Sequence, residues 1–311
     1  STLSVAAEAA REGWNNEELQ QALAGTLEEG QLDVDEPPYV DGLIASRLSV
    51  LERQGRTEEY LSLAKAAGES QAYAEMLAQT GKPQQAVNAA IESVSSQRAL
   101  LELAQTLREQ NHLEAALQVA EHGVTIDGIY RDTLAEWLRD RAASIGEDDL
   151  ALRAASIAFK ESPSKSTFRA VEELTDDWES TRSELLATLR GQNPSSSHAA
   201  EVFLQEELYD DAIDVAEQSG RTRVIEPVVA GVKKERPDWT IEICKSRAEP
   251  IIEQGKHDSY ETAVRWLRQA GEAAQAADKL DDWREYVETL RDDHYKKYKL
   301  RPMLEDLLKE F

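Results

Sequence analysis

GKHDSYETAVRWLRQAGEAAQAADKLDDWREYVETLRDDHYKKYKLRPMLEDLLKEF, residues 255–311, is the stretch whose reading decides the fold. Its residues Tyr260, Ala263, Trp266 and Leu267, then Leu280, Trp283, Tyr286 and Leu290, recur three and four apart. That spacing lines large apolar groups along one side of two successive helices. The segment GEAAQAADKLDD, opening at Gly271, is expected to be the connection that folds the second helix back on the first. Pro302 is expected to start a last helix whose Leu304, Leu307, Leu308 and Phe311 close the core, making 258–311 the capping repeats of the array.

Weaker copies of the same unit run upstream. Leu43, Ile44, Leu48 and Leu51 stop at Gln54-Gly55-Arg56, where Gly55 suits the left-handed position after a helix and Thr57 suits an N-cap. Thr80-Gly81-Lys82 leads into Pro83, placed as a first helical residue, and then into Ala86, Val87, Ala90 and Ile91. Asn111 and Gly146 centre two more turns, and later ones fall near Asp176–Trp178, Glu207–Asp210 and Gly255–Asp258. A drifting period of roughly 30 residues, each a helix pair, is the mark of an α-solenoid, in which every pair buries its apolar face on its neighbours. No alternating apolar run bounded by hairpin turn residues occurs, so the expected class is all-α.

Residues 1–30 read as an N-terminal helical segment, with Asn15 or Asn16 as the cap of its second helix. Residues 31–42 read as an acidic, proline-rich linker, because helix cannot run through Pro37-Pro38. Asp33, Asp35 and Asp41 lack the central Gly and closing Glu of a calcium loop, and solvation is the simpler role. Residues 43–311 form the expected solenoid, with a mild break at 191–197. The start has no basic region followed by an apolar one and lacks an initiator Met; a cytoplasmic chain cut from a longer protein is expected.

The chain has 60 acidic and 35 basic residues among 311, a net charge of −25. A field of that sign repels phosphate backbones and anionic lipid, so neither nucleic acid nor membrane is expected to bind this region on its own. No apolar run approaches the ~18 residues of a membrane span. The acids are dispersed and Lys is scarcer than Arg, a surface suited to a halophile's cytoplasm, where salt screens self-repulsion. A docking face for a basic partner is the alternative.

No catalytic constellation is legible. The five histidines are scattered, and His198 with Glu201, or His294 with Asp292, falls short of the three protein ligands of a catalytic zinc. Ser195-Ser196-Ser197-His198 reads as a capping run before Ala199 rather than a nucleophile with its base. Gly-rich phosphate loops and nucleophile elbows are absent, so no cofactor is expected. Cys244, the lone cysteine, lies beside Ile241 and Ile243 and reads as core. The tryptophans at 14, 137, 178, 239, 266 and 283 read as packing anchors between helices. One basic cluster stands out: Lys296, Lys297, Lys299 and Arg301 after His294, interleaved with Tyr295 and Tyr298. Cations with aromatics can hold a nucleic-acid strand. At this net charge the simpler expectation is that the cations offset a helix dipole while Tyr295 and Tyr298 pack on the preceding helix.

Several pairs resemble the tetratricopeptide pattern. Leu103-Ala104, Leu107 and Asn111, followed by Leu113, Ala115, Ala116, Val119 and Ala120, match its two helices and turn, as do Phe203-Leu204, Leu208-Tyr209, Ala212-Ile213 and Ala216. Asp258–Leu267, Asp282–Tyr286, Leu290-Arg291 and His294–Leu300 resemble the C-terminal helical region of prokaryotic SWIM-type zinc-finger proteins. With one cysteine the CxC…CxH finger itself is absent, and no zinc role passes to any residue here. The expected function is a non-enzymatic scaffold for a protein partner, one region of a larger protein; the alternative is an accessory region that touches phosphate through 294–301.

Overall fold

The computed structural model describes residues 13–32, 41–192 and 195–311. These hold eighteen α-helices and a short 3₁₀ turn at His257–Ser259, with no strand among the described residues. Residues 1–12, 33–40 and 193–194 lie outside that set, and with them the start of the expected 1–30 segment, Pro37-Pro38 and part of 191–197. The chain divides into two compact units, Ser1–Glu161 and Ser162–Phe311, a division that falls ahead of the 191–197 stretch.

In the first unit α1 (Glu17–Leu23) is capped by Asn16, whose Oδ1 accepts from the Leu19 N–H at 3.0 Å. Then come α2 (Asp41–Arg53), α3 (Thr57–Ala66), α4 (Ser70–Gln79), α5 (Pro83–Ser93), α6 (Gln97–Glu109), α7 (Leu113–Gly123), α8 (Arg131–Ala143) and α9 (Asp148–Glu161). The pairs α4/α5, α6/α7 and α8/α9 are hairpins; α4 packs on α6 and α6 on α8, while α5 packs on α7. Leu100, Leu103, Ala104 and Leu107 of α6 face Ala116, Leu117, Val119 and Ala120 of α7, all buried.

One turn joins most of these helices. At the α2–α3 turn the Gly55 N–H donates to Glu52 O and the Arg56 N–H to Leu51 O, closing the last turn of α2 in a Schellman motif. The Arg56 carbonyl then accepts from the Tyr60 N–H and opens α3. The same pair of bonds recurs around Gly68, Gly81, Asn111 and Gly146. Every central residue has φ between +66° and +78°. Thr57 is therefore the first helical residue and not the cap expected of it: the capping position belongs to Arg56, which is already held by α2. Gly68 is a turn centre that the apolar rhythm did not reveal, and it halves the step between Gly55 and Gly81.

The second unit contains α10 (Lys165–Glu172), α11 (Trp178–Gly191), α12 (Ser197–Gln205), α13 (Tyr209–Ser219), α14 (Thr222–Val232), α15 (Pro237–Glu253), α16 (Tyr260–Ala276), α17 (Leu280–Asp293) and α18 (Leu300–Glu310). Here side-chain caps are frequent: Ser164, Asp177 and Ser196 each accept from a backbone N–H three residues on. The Schellman turn returns at Glu207 and Asp278, both with positive φ. Glu207 pays for a left-handed backbone that costs an ordinary residue about 1 kcal/mol.

The expected connection GEAAQAADKLDD is helix for most of its length. α16 runs through Gly271 to Ala276, and only Ala277–Lys279 links it to α17. Gly271 has a packing role instead. A Cβ there would stand 2.9 Å from Trp283 Cζ2 and 3.0 Å from the Phe311 ring. Trp283, 1 % exposed, donates its Nε1–H to Leu267 O at 3.1 Å and meets Phe311 edge-on at 4.9 Å between centroids. Arg268 grips Glu310 with two hydrogen bonds of 2.7 and 2.9 Å, so α18 closes over α16 and α17. Pro302 sits as the third residue of α18, inside its first turn rather than at its start.

Gly271→Ala should lower stability by about 1–3 kcal/mol, because the overpacking exceeds the roughly 1 kcal/mol that alanine gains in a helix. Thermal melts check this against Gly191→Ala, where a Cβ meets nothing within 4 Å and no loss is expected.

Candidate interaction surfaces

Chemistry first. Among the described residues no group of three His, Cys, Asp or Glu is placed to hold a metal ion. Ser196 caps α12 by accepting from the Ala199 N–H at 3.2 Å, and His198 is exposed beside it. Glu201 lies 3.9 Å from Lys165, and Asp292 is paired with Arg291 at 2.9 Å. Cys244 is fully buried in α15, and burial pushes its thiol up to about 12. A polar groove of about 340 Å³ lies between α3, α4, α5 and residue 29. Its lining includes Lys65, Tyr73, Asn88 and Glu92 but neither His nor Cys, and Glu29 accepts from Ser93 Oγ at 2.9 Å. Such a lining offers hydrogen-bond donors and acceptors.

The basic cluster is a loop between α17 and α18, and its residues do different things. The Lys297 ammonium donates to Ile252 O at the end of α15. Arg301 pairs with Glu305 at 3.0 Å, one turn along α18. Burial, reinforced by the Lys297 ammonium, holds the His294 imidazole below its ordinary value. Lys296 and Lys299 are exposed and make no ion pair among the described residues, Lys296 lying 5.5 Å from the Tyr295 ring centroid. The expected packing of the tyrosines does not occur: Tyr295 is 61 % and Tyr298 77 % exposed. The turn His294–Lys299 lifts both rings away from α17, because the inward positions go to Lys297 and to the buried Leu300.

A second surface escaped the sequence reading. Between α7 and α8 the chain passes Ile126-Asp127-Gly128-Ile129-Tyr130, and Ile129 is 88 % exposed. Its loop is nonetheless fixed. Gln97, 5 % exposed, donates from Nε2 to Ile126 O at 2.5 Å and accepts at Oε1 from the Tyr130 N–H at 3.1 Å. The side-chain amide thus stands in for a strand partner across the loop. Gly128 lies against it so closely that a Cβ would fall 2.5 Å from Gln97 Oε1. Arg131 adds a bond from Nε to Val124 O at 2.7 Å and pairs with both Asp127 and Glu161. The available signal was an apolar Ile-x-x-Ile-Tyr between helices, in step with neither flanking helix.

Gln97→Leu keeps the volume but strands a backbone donor and acceptor, a loss of about 1–3 kcal/mol. The Tyr130 amide should then exchange with solvent faster than its neighbours in α8. Cys244 should resist thiol reagents at pH 8 in the folded protein and react fully only in denaturant; rapid native-state labelling would contradict its burial. Comparison with protein-family models and with curated proteins gives no match, and the functional reading is carried by the surfaces just described.

Proposed function

We propose that this chain is a non-enzymatic, tetratricopeptide-like helical-repeat scaffold that binds a partner protein, as one region of a larger protein. The observation that carries the reading is the rigid mounting of Ile129 beside Tyr130. A side chain 88 % exposed gains roughly 2 kcal/mol when a partner covers it, and a loop already fixed loses little entropy in doing so. Two features support the repeat reading. Small residues stand at matching places in successive hairpins: Ala74 and Ala86 around Gly81, Ala104 and Ala116 around Asn111, Ala200 and Ala212 around Glu207. First helices also pack on first helices, and second on second, along α4–α7. The resemblance of 258–311 to the helical region of SWIM-type proteins fits a scaffold that accompanies other domains.

Ile129→Asp tests this directly. Tagged wild-type protein should retain a stoichiometric partner from native lysate at the source's own salt, and the variant should lose it with an unchanged melting temperature. A wild-type protein that retains nothing, or a variant that retains the same partner equally, sinks the reading.

A further inference from the structure

The loop 294–299 belongs to the second unit, and its composition is unlike the rest of the chain. From His294 to Leu304 there are four cations and no acid, so the remaining chain carries −29 against −25 for the whole. Two of the four cations, Lys297 and Arg301, are consumed in holding the loop and the first turn of α18. Backbone bonds complete the mount: Lys297 N–H to His294 O at 2.8 Å, Leu300 N–H to Lys297 O at 2.9 Å and Arg301 N–H to Lys297 O at 3.1 Å. What the loop presents is therefore Tyr295, Lys296, Tyr298 and Lys299, an aromatic–cation pair repeated three residues later.

We propose that this loop docks a short acidic segment of a partner protein, its carboxylates on Lys296 and Lys299 and its apolar part on the rings of Tyr295 and Tyr298. The proposal rests on the scaffold reading and supplies the partner chemistry for a second surface. Among the described residues neither ammonium group has a carboxylate partner, so an incoming one has no existing pair to break. Exposed tyrosines are the side chains that most often anchor interfaces, since they bury much area for two rotatable bonds. The size of the site selects the kind of anion. Asp292, Asp293 and Glu305 flank the loop on both sides. A nucleic-acid strand would carry its phosphates past these acids and over a surface of the same sign. A segment with two or three carboxylates ends within the cationic footprint and meets less of that repulsion.

The test is fluorescence anisotropy with the full chain and three labelled probes. These are the C-terminally amidated peptide Gly-Gly-Leu-Asp-Gly-Leu-Glu-Gly-Gly-Tyr, its counterpart with lysine at each acid, and a ten-residue oligothymidylate. The acidic peptide should bind alone among the three, and more weakly as salt is raised. Lys296→Glu with Lys299→Glu should weaken it by about tenfold or more, and Tyr298→Ala by several-fold, with melting temperatures unchanged. Oligothymidylate binding as tightly as the acidic peptide, or no peptide binding, or binding indifferent to these substitutions, overturns the proposal. So does salt-sensitive self-association of the protein alone that the same substitutions abolish, since the loop would then dock a second copy. If the loop assignment fails while capture remains sensitive to Ile129→Asp, the scaffold reading stands; if both fail, it falls as well.

Discussion

Between many neighbouring helices among the described residues stands one residue whose peptide groups are bonded in both directions, and the packing of those hairpins depends on it. Arg56 is the clearest instance: its N–H closes α2 on Leu51 O, and its carbonyl opens α3 on the Tyr60 N–H. Lys82, His112, Leu208 and Lys279 repeat the arrangement. Because two helix ends share one residue, the connection has no slack, and the crossing of each hairpin is set by backbone geometry before any side chain meets another. The preceding residue must be left-handed. Gly supplies that at no cost, Asn111 and Asp278 at a modest one, and Glu207 against preference. The hydrogen-bond pattern survives all four residue types, so the turn is enforced by the bonds and not by glycine.

A fixed crossing in turn fixes which positions must be small. Seven residues before the turn centre and five after it, α4/α5, α6/α7 and α12/α13 place alanine, each fully or almost fully buried. The last hairpin solves the same constraint asymmetrically. Gly271 stands where the others have alanine, and Trp283 fills the space opposite. The extra volume of the indole reaches Phe311 and gives α18 something to close on. The hairpin of α16 and α17 thus keeps the backbone turn of the other three while exchanging a small–small pair for a small–large one.

Helix class and most turn centres were legible in the sequence, because three- and four-residue apolar spacing is a local property. Gly81, Asn111, Gly146 and Glu207 interrupt that spacing visibly. Gly68 does not, since Ala66 and Ala67 continue the apolar run into the turn. Gly271 was misread for the converse reason: it follows a clear apolar face and is trailed by alanines, which look like a connection and are helix. Thr57 was misread because capping chemistry is scored on side chains, whereas the cap here is the backbone of Arg56. The exposed tyrosines and the Gln97 clasp were beyond sequence altogether. Which face of a loop points outward depends on what fills the inside, here Lys297 and Leu300. A glutamine on an apolar face discloses nothing of a loop twenty-nine residues on.

The two loops share a physical logic that bears on how the proposed scaffold role would work in an acidic chain. A chain with 60 acids and a net charge of −25 repels surfaces of its own sign, and that repulsion opposes contact with other acidic proteins. Contact then has to be concentrated where charge is locally absent or reversed. Gly128-Ile129-Tyr130 is uncharged, and His294–Leu304 is cationic. Both are mounted by groups drawn from the protein's interior, the Gln97 amide in one and the Lys297 ammonium on Ile252 O in the other. Mounting matters because the exposed aromatic or aliphatic group would otherwise fold back onto its own chain and bury there. A polar group placed inside to keep an apolar one outside raises the free energy of the isolated fold, and in the proposed role a partner covering the exposed side chain would offset that cost.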